Sequence, residues 1–298
     1  LSPAGRQVFS VFCPHRAGKQ PRRCGRAVLF SQFAGIFVQP NLHDLLDKED
    51  KETSLTFGKG LSVILAFEGH NRVLSIPEIA AKVGLNRAVT RRLVRTLEQL
   101  GFVSADRGRY ELTPRVLRLA QGFMQTRSIP QLIQPLLRNA SHEIGESVSF
   151  AMLDDDEAIY VAHAFVPSRF SLNMVTVGSR VPLAPTAIGR AMLAFLDKPK
   201  RDEILDRIDF TPYTPHTLTD RKALTDLLNF IRISGFCYAE AEYVEGVNSL
   251  AVPVFNSKSQ VLGAVSIIFP QGQYGESDIN GRLSTLLGRC AADIGAAL

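Results

Sequence analysis

The chain of 298 residues contains no tryptophan and only four cysteines. Two of these, Cys13 and Cys24, lie in the first forty residues, and Cys237 and Cys290 stand alone in the rest. That excludes a disulfide framework and suits a reducing cytoplasm. Outside the first forty residues no stretch reaches the roughly 18–20 uninterrupted apolar residues of a membrane span. None of the six histidines (His15, His43, His70, His142, His163, His216) has another His or Cys three or four positions away, so zinc spacing is missing. There is no G-x-S-x-G elbow, no P-loop and no G-x-G-x-x-G after a strand. Ser266, His163 and an Asp can be drawn as a triad, but any chain of this size offers such a trio. No catalytic residue, metal or cofactor is therefore expected. What is present, 45% apolar and 21% charged residues, is ordinary globular composition, long enough for two domains with cores of their own.

The net charge of +5 is unevenly spread. Residues 1–40 hold six Lys/Arg and no acid, and residues 41–55 are net −3. Residues 56–120 hold eleven bases against five acids, and residues 121–298 hold fifteen against nineteen. A basic front precedes a mildly acidic body. The first segment has no helical or strand period and no Met; the first in the chain is Met124. Pro21–Phe30 followed by AGIFV can be read as a twin-arginine export signal, or the segment as a basic arm on DNA phosphates. Composition favours a disordered or non-native extension over residues 1–50, with a true start near Val38.

Residues 55–113 carry the first pattern with chemistry. Gly58–Gly69 has helical apolar spacing. Ser75, Pro77 and Glu78 then mark a capped helix start, with Gly84 as its exit. Asn86 caps a further helix that stops at Gly101. Val89, Leu93, Thr96, Leu97 and Leu100 fall on one side of it, and Arg87, Ala88, Arg91 and Arg95 on the other. An Arg-lined helix behind a cap fits the DNA major groove, where Arg can bond guanine O6 and N7 together. The expected DNA-facing set is Asn86, Arg87, Ala88, Thr90, Arg91, Arg92 and Arg95, with Arg92 on the flank toward a phosphate. Phe102–Ser104 and Arg109–Leu112 form a hairpin around Asp106-Arg107-Gly108, a short wing whose Arg107 and Arg109 reach backbone or minor groove. The alternative is an ordinary solvated helix face. Thr113-Pro114 open a linker helix over residues 114–127.

GLNRAVTRRLVRTLEQLGFV followed by RGRYELTPRVLRLA resembles the winged helix-turn-helix domain of the IclR family of bacterial transcription regulators, nearest the branch that controls aromatic-acid catabolism through protocatechuate and β-ketoadipate. The resemblance runs from about Leu55 to Leu298. It implies an effector-responsive DNA-binding protein, repressor or activator, without catalytic residues.

Residues 128–298 read as antiparallel strands with helices around them, an α+β sensory domain. Ile129–Glu143 is an amphipathic helix. Two strands flank the acidic turn Asp154–Glu157, whose oxygens lack the spacing of a cation loop and are expected to be solvated. Arg169–Gly178 is a further strand. A buried helix begins near Thr186, with Gly189 for close packing. Helices Arg201–Ile208 and Asp220–Ile233, strands in GFCYAEAEY, NSLAVPVFN and VLGAVSIIF, and a final helix Glu276–Ala297 complete the list. VGSRVPLAPTAIGRAMLAFL, TPYTPHTLTD and EGVNSLAVPVF look like the GAF-like effector-binding half of the same regulators. The resemblance implies a small anion held by Pro185, Thr186 and Ala187 at the buried helix, by Ser249, and by Ser266 on the last strand, with Glu240 in the same set. Thr186 stands at a helix N-terminus, where a carboxylate is favoured. Ile268, Ala239 and Ala184-Pro185 replace polar residues common in that family, which implies a larger, aromatic acid. For each serine an ordinary strand hydroxyl bonded to backbone is the competing reading.

The expectation is an α+β chain: an N-terminal winged helix-turn-helix domain and a C-terminal GAF-like α/β effector-binding domain. Its partners would be a palindromic double-stranded DNA operator, a small organic acid and its own copy in a homodimer or homotetramer, with no membrane. The linker helix would carry part of the dimer contact. The alternatives are a small-molecule hydrolase or isomerase with an accessory helical domain, and a winged helix that binds protein.

Overall fold

The structure, a computed structural model, describes residues 42–46, 50, 52–68, 72–126, 128–167 and 175–298. The export signal, basic arm or extension expected of residues 1–40 lies outside the described residues. So does most of the strand expected over Arg169–Gly178, whose described part ends in a turn at Gly178. The chain divides at Thr113/Pro114 into two compact units.

In the first unit, Ser54 caps α1 (Leu55–Leu65) by accepting from the Phe57 amide. β1 (Leu74–Ser75) leads into α2 (Ile76–Lys82), where the Glu78 carboxylate accepts from both the amide and the hydroxyl of Ser75 at 2.7 Å. Those bonds, with the Arg109 charge beside it, hold the Glu78 carboxyl below its ordinary range. Lys82 reaches back to the Ala66 and Glu68 carbonyls at the end of α1, where a cation is favoured. Gly84 turns the chain in a left-handed conformation into α3 (Arg87–Gln99). β2 (Val103–Asp106) and β3 (Arg109–Leu112) form a hairpin, and β3 also pairs with β1. The two-residue turn is Arg107-Gly108, both at positive φ, the geometry a right-twisted hairpin prefers. Ile79, Val83, Leu93, Val94, Leu97 and Val103 close the core beneath.

The second unit begins with α4 (Leu117–Thr126). A π-type turn over Ile129–Ile133 then feeds α5 (Gln134–Ile144), where one helix had been expected. β4 (Val148–Asp154), β5 (Glu157–Ala164) and β6 (Arg180–Pro182) precede α6 (Ala187–Leu193). After α7 (Lys198–Arg207) and α8 (Arg221–Ser234) come β7 (Cys237–Glu240), β8 (Val247–Phe255) and β9 (Val261–Pro270), then α9 (Ser284–Ala297). The sheet is antiparallel with order β6-β5-β4-β9-β8-β7. α5 and α9 cover one face through Leu137, Ile144, Leu287 and Ile294. α6 covers the other through Ile188, Ala191 and Met192, with α7 and α8 in the same core. Gly189 is required there: a Cβ would stand 2.3 Å from the Leu183 Cα.

The acidic turn is exposed at Asp154 and Asp155, as expected, and its carboxylates are also paired with arginines. Arg180 holds Asp154 and Glu157 at 2.5 and 2.6 Å, and Arg207 of α7 holds Asp155 at 2.7 Å. These pairs lie at the surface, where each contributes modestly.

Candidate nucleic-acid interface and ligand face

α3 presents its basic side as a stripe. Arg87, Ala88, Arg91, Arg92 and Arg95 are all exposed. Among the described residues no hydrogen bond or ion pair engages the four guanidinium groups. Asn86 is committed to the helix itself, its carboxamide oxygen accepting from the Val89 amide at 2.9 Å. Thr90 requires correction. It is 0% exposed, and its hydroxyl donates to the Asn86 carbonyl at 3.0 Å. With Leu93, Val94 and Leu97 it forms the buried seam, whereas Thr96 and Leu100, expected inside, are exposed. On the wing, Arg109 stays exposed while it donates to the Val73 carbonyl at 2.9 Å and lies 3.7 Å from Glu78. Arg107 is left at the tip of the hairpin.

In the second unit the sheet face under α6 carries a cross-strand row. His163, Ser149, Ser266, Ala251 and Cys237 stand opposite one another on five neighbouring strands. A bulge between Phe150 and Ala151 makes this possible: Phe150 pairs with Ala162 but Ala151 with Tyr160. The extra residue, Val161, puts Tyr160 and His163, three apart, on one face, where simple alternation would separate them. The Ser149 hydroxyl meets His163 Nδ1 at 2.9 Å, and Tyr160 is hydrogen-bonded to Ser266. Burial raises the Tyr160 phenol, and burial lowers His163 below the ordinary histidine range. The imagined triad is not assembled, because His163 is engaged by Ser149 rather than by Ser266.

Ser249 lies on this face too, one step along from Ser266, opposite Ile268 and Ala239. Pro185, Thr186 and Ala187 are buried at the start of α6. The Thr186 hydroxyl already donates to the Pro182 carbonyl at 2.7 Å and accepts from the Gly189 amide at 3.2 Å. Glu240 is not brought to the group. It pairs with Asn248 on the opposite face of the sheet, and its carboxylate accepts from Gln271 at 3.0 Å. The β7 ladder ends there, and the chain turns at Ala241 with φ near 50°.

A buried ion pair escaped the sequence reading. Arg190 of α6 is 0% exposed, yet it grips both oxygens of Glu242 at 2.5 Å and donates through Nε to the Ala184 carbonyl at 2.5 Å. Burial alone would lower the guanidinium pKa; the bonds to Glu242 outweigh it and leave the group above its ordinary value. Glu242 also accepts from the Leu218 amide, and the hydroxyls of Thr214 and Thr217 donate to its carbonyl. The pair therefore ties the loop before β8 and the loop at residues 213–218 to α6. Tyr213 and Tyr243 meet edge to face across those loops, with centroids 5.0 Å apart. The only sequence signal was an arginine inside an apolar helix. The burial of the neighbouring Cys237 thiol raises its pKa to about 12, so it is an inert wall. Among the described residues no group of three His, Cys, Asp or Glu could hold a metal, and no helix is long and apolar enough to cross a membrane.

A winged helix with an unpaired arginine stripe, in one chain with an α+β unit whose sheet face is lined by hydroxyls, defines a DNA-binding regulator with an effector domain. Residues 57–107 match the IclR helix-turn-helix domain and residues 121–296 the C-terminal domain of the bacterial transcriptional regulator IclR; the chain belongs to the IclR family. It is 30% identical to the Pca regulon regulatory protein of Pseudomonas putida over 82% of this chain and 84% of that one. A crystal structure of a transcriptional regulator from Rhodococcus sp. RHA1 has 32% identity and a TM-score of 0.72, covering 83% of this chain and 98% of that one. The inducer-binding domain of PobR from Acinetobacter, a double mutant in complex with 3-hydroxybenzoic acid, has 25% identity and a TM-score of 0.52, over 56% and 97% of the two chains. The family consists of transcriptional regulators, not enzymes, which removes the hydrolase or isomerase alternative.

Proposed function

We propose that the chain controls a catabolic operon from the cytoplasm, binding a palindromic operator as a homodimer or homotetramer and responding to a small aromatic acid. The observation that carries the DNA half is the stripe Arg87, Arg91, Arg92 and Arg95, exposed and unpaired behind the Asn86 cap. Ala88 beside it offers a methyl to thymine, and Arg107 at the wing tip a cation to backbone or minor groove, with Arg109 its second support. On α4, Leu117, Leu119 and Phe123 are 70%, 58% and 45% exposed. This exposed apolar run supports self-association through the linker helix, in which a second copy would cover it.

The effector would lie on the sheet face, against Ser249 and Ser266, with Pro185–Ala187 as its wall. The relative named for the pca regulon and the PobR domain bound to 3-hydroxybenzoic acid support the aromatic class. A ligand changes DNA affinity only by the difference in its affinity for the two arrangements of the dimer. Selection from random duplexes followed by gel shifts tests the first half. Arg91→Ala should cost about 1–3 kcal/mol of specific binding. Binding indifferent to both salt and this substitution would sink the reading. Thermal-shift screening of aromatic and aliphatic acids tests the second half. Ser249→Leu should lose the response while DNA binding persists.

A further inference from the structure

The buried guanidinium of Arg190 lies beside the serine-lined face. Ala184, whose carbonyl accepts from its Nε, directly precedes Pro185 of the proposed wall. Cys237, whose thiol is hydrogen-bonded to the same guanidinium, is the β7 member of the row that contains Ser266. Neighbouring strands are about 4.8 Å apart, which sets β8, the strand of Ser249, one interval from Cys237 and Ser266 two intervals from it. An aromatic ring with a polar group at each end can bridge such a gap. The row itself offers two hydroxyls, an alanine, an inert thiol and a histidine kept neutral by burial, and so holds no cation for a carboxylate. Arg190 holds one, and its two Nη atoms are occupied by a side chain of this chain's own. That side chain, Glu242, belongs to the loop between β7 and β8 and is the half of the pair that water reaches.

We propose that the effector's carboxylate takes the place of Glu242 on Arg190, with its ring over Ala251 and Ser249, and that Glu242 turns out to water with its loop. This rests on the sheet face being the effector site, and adds the group that holds the carboxylate and the contact that binding breaks. Exchange of one carboxylate for another keeps the buried charge balanced, whereas an acid added beside Glu242 would leave a negative charge uncompensated. The guanidinium already presents Nη1 and Nη2 in the two-bond geometry that any carboxylate matches. Glu242 also accepts from the Leu218 amide, and its carbonyl accepts from the hydroxyls of Thr214 and Thr217. Its departure therefore frees the loop at residues 213–218 along with its own.

The full-length protein is titrated by calorimetry with 3-hydroxybenzoate and with 3-hydroxybenzamide, and amide hydrogen exchange is followed with and without the acid. The acid should bind and the amide should not. With the acid bound, exchange should become faster at Leu218 and at residues 241–246, although a ligand that only covers these loops slows it. Glu242→Gln removes the competing charge while keeping an acceptor for the Leu218 amide, and should bind the acid at least about ten-fold more tightly. The exchange measurement needs no variant, so it decides the matter even where Glu242→Gln does not fold. Slower or unchanged exchange in the acid complex overturns the inference and leaves the sheet-face reading standing. Equal binding of the amide, or affinity unchanged or weakened in Glu242→Gln, does the same. Tighter binding in the variant without faster exchange in the parent would show an anion trap made by the substitution, and overturns it too. If neither protein binds the acid at millimolar concentration, the inference and the sheet-face reading fall together.

Discussion

Glu242→Ala offers the sharpest test of what holds the effector unit together. It would leave the Arg190 guanidinium with 0% exposure and without the carboxylate that takes Nη1 and Nη2, while the Nε bond to Ala184 remains. Removing one partner of a buried pair typically costs about 3–5 kcal/mol, because the remaining charge is neither hydrated nor compensated. The Leu218 amide also loses its acceptor, which adds on the order of 1 kcal/mol. Glu242 itself is 14% exposed, so some water reaches the site and the lower half of the range applies. A loss of about 3–4 kcal/mol in a unit of this size corresponds to a Tm lower by roughly 6–16 °C. Denaturant unfolding followed on the second unit would measure it, with hydrogen exchange expected to rise first at residues 213–218 and 241–246. The double variant Arg190→Met, Glu242→Leu should be more stable than Glu242→Ala alone, since no uncompensated charge remains. A single variant within 1 kcal/mol of the parent, or a double variant that simply adds two losses, would refute the reasoning.

Two further expectations concern packing and protonation. Gly189→Ala should destabilise the second unit by about 1–3 kcal/mol, since the new Cβ meets the Leu183 backbone at 2.3–2.4 Å; an unchanged denaturation midpoint would contradict this close approach. His163 is held neutral by burial, so its contribution is fully present above the unfolded histidine pKa of about 6.5 and is lost as pH falls below it, when the unfolded chain takes up a proton the folded one resists. The stability lost between pH 7 and pH 5 should shrink in His163→Gln, and an identical slope would remove His163 from the account.

Much of the architecture follows rules that act over a few residues, and these were legible. Ser75, Asn86 and Thr186 each start the helix that follows, and Gly84 and Gly108 stand at positive φ where the chain turns. The arginine stripe of α3 was also visible, because a 3.6-residue period and four cations suffice to place it. The same wheel misjudged its inner side. Thr90 enters the core because its hydroxyl is satisfied by the preceding turn, and Leu100 stays outside at the helix end. Hydrophobicity alone does not rank those two correctly. Glu240 was misassigned for a related reason: strand faces alternate, so an error of one position moves a side chain through the sheet.

The sequence by itself determined the helix-turn-helix, the wing, and the strands of the acidic body other than β6, since each is written in neighbouring residues. Tertiary structure alone decided which side chains share a site. The Val161 bulge brings Tyr160 and His163 onto the face of Ser149 and Ser266. Arg190 becomes intelligible only beside Glu242, fifty-two positions along the chain. Such partners are chosen by packing and by the cost of burying a charge alone, and no local pattern records either.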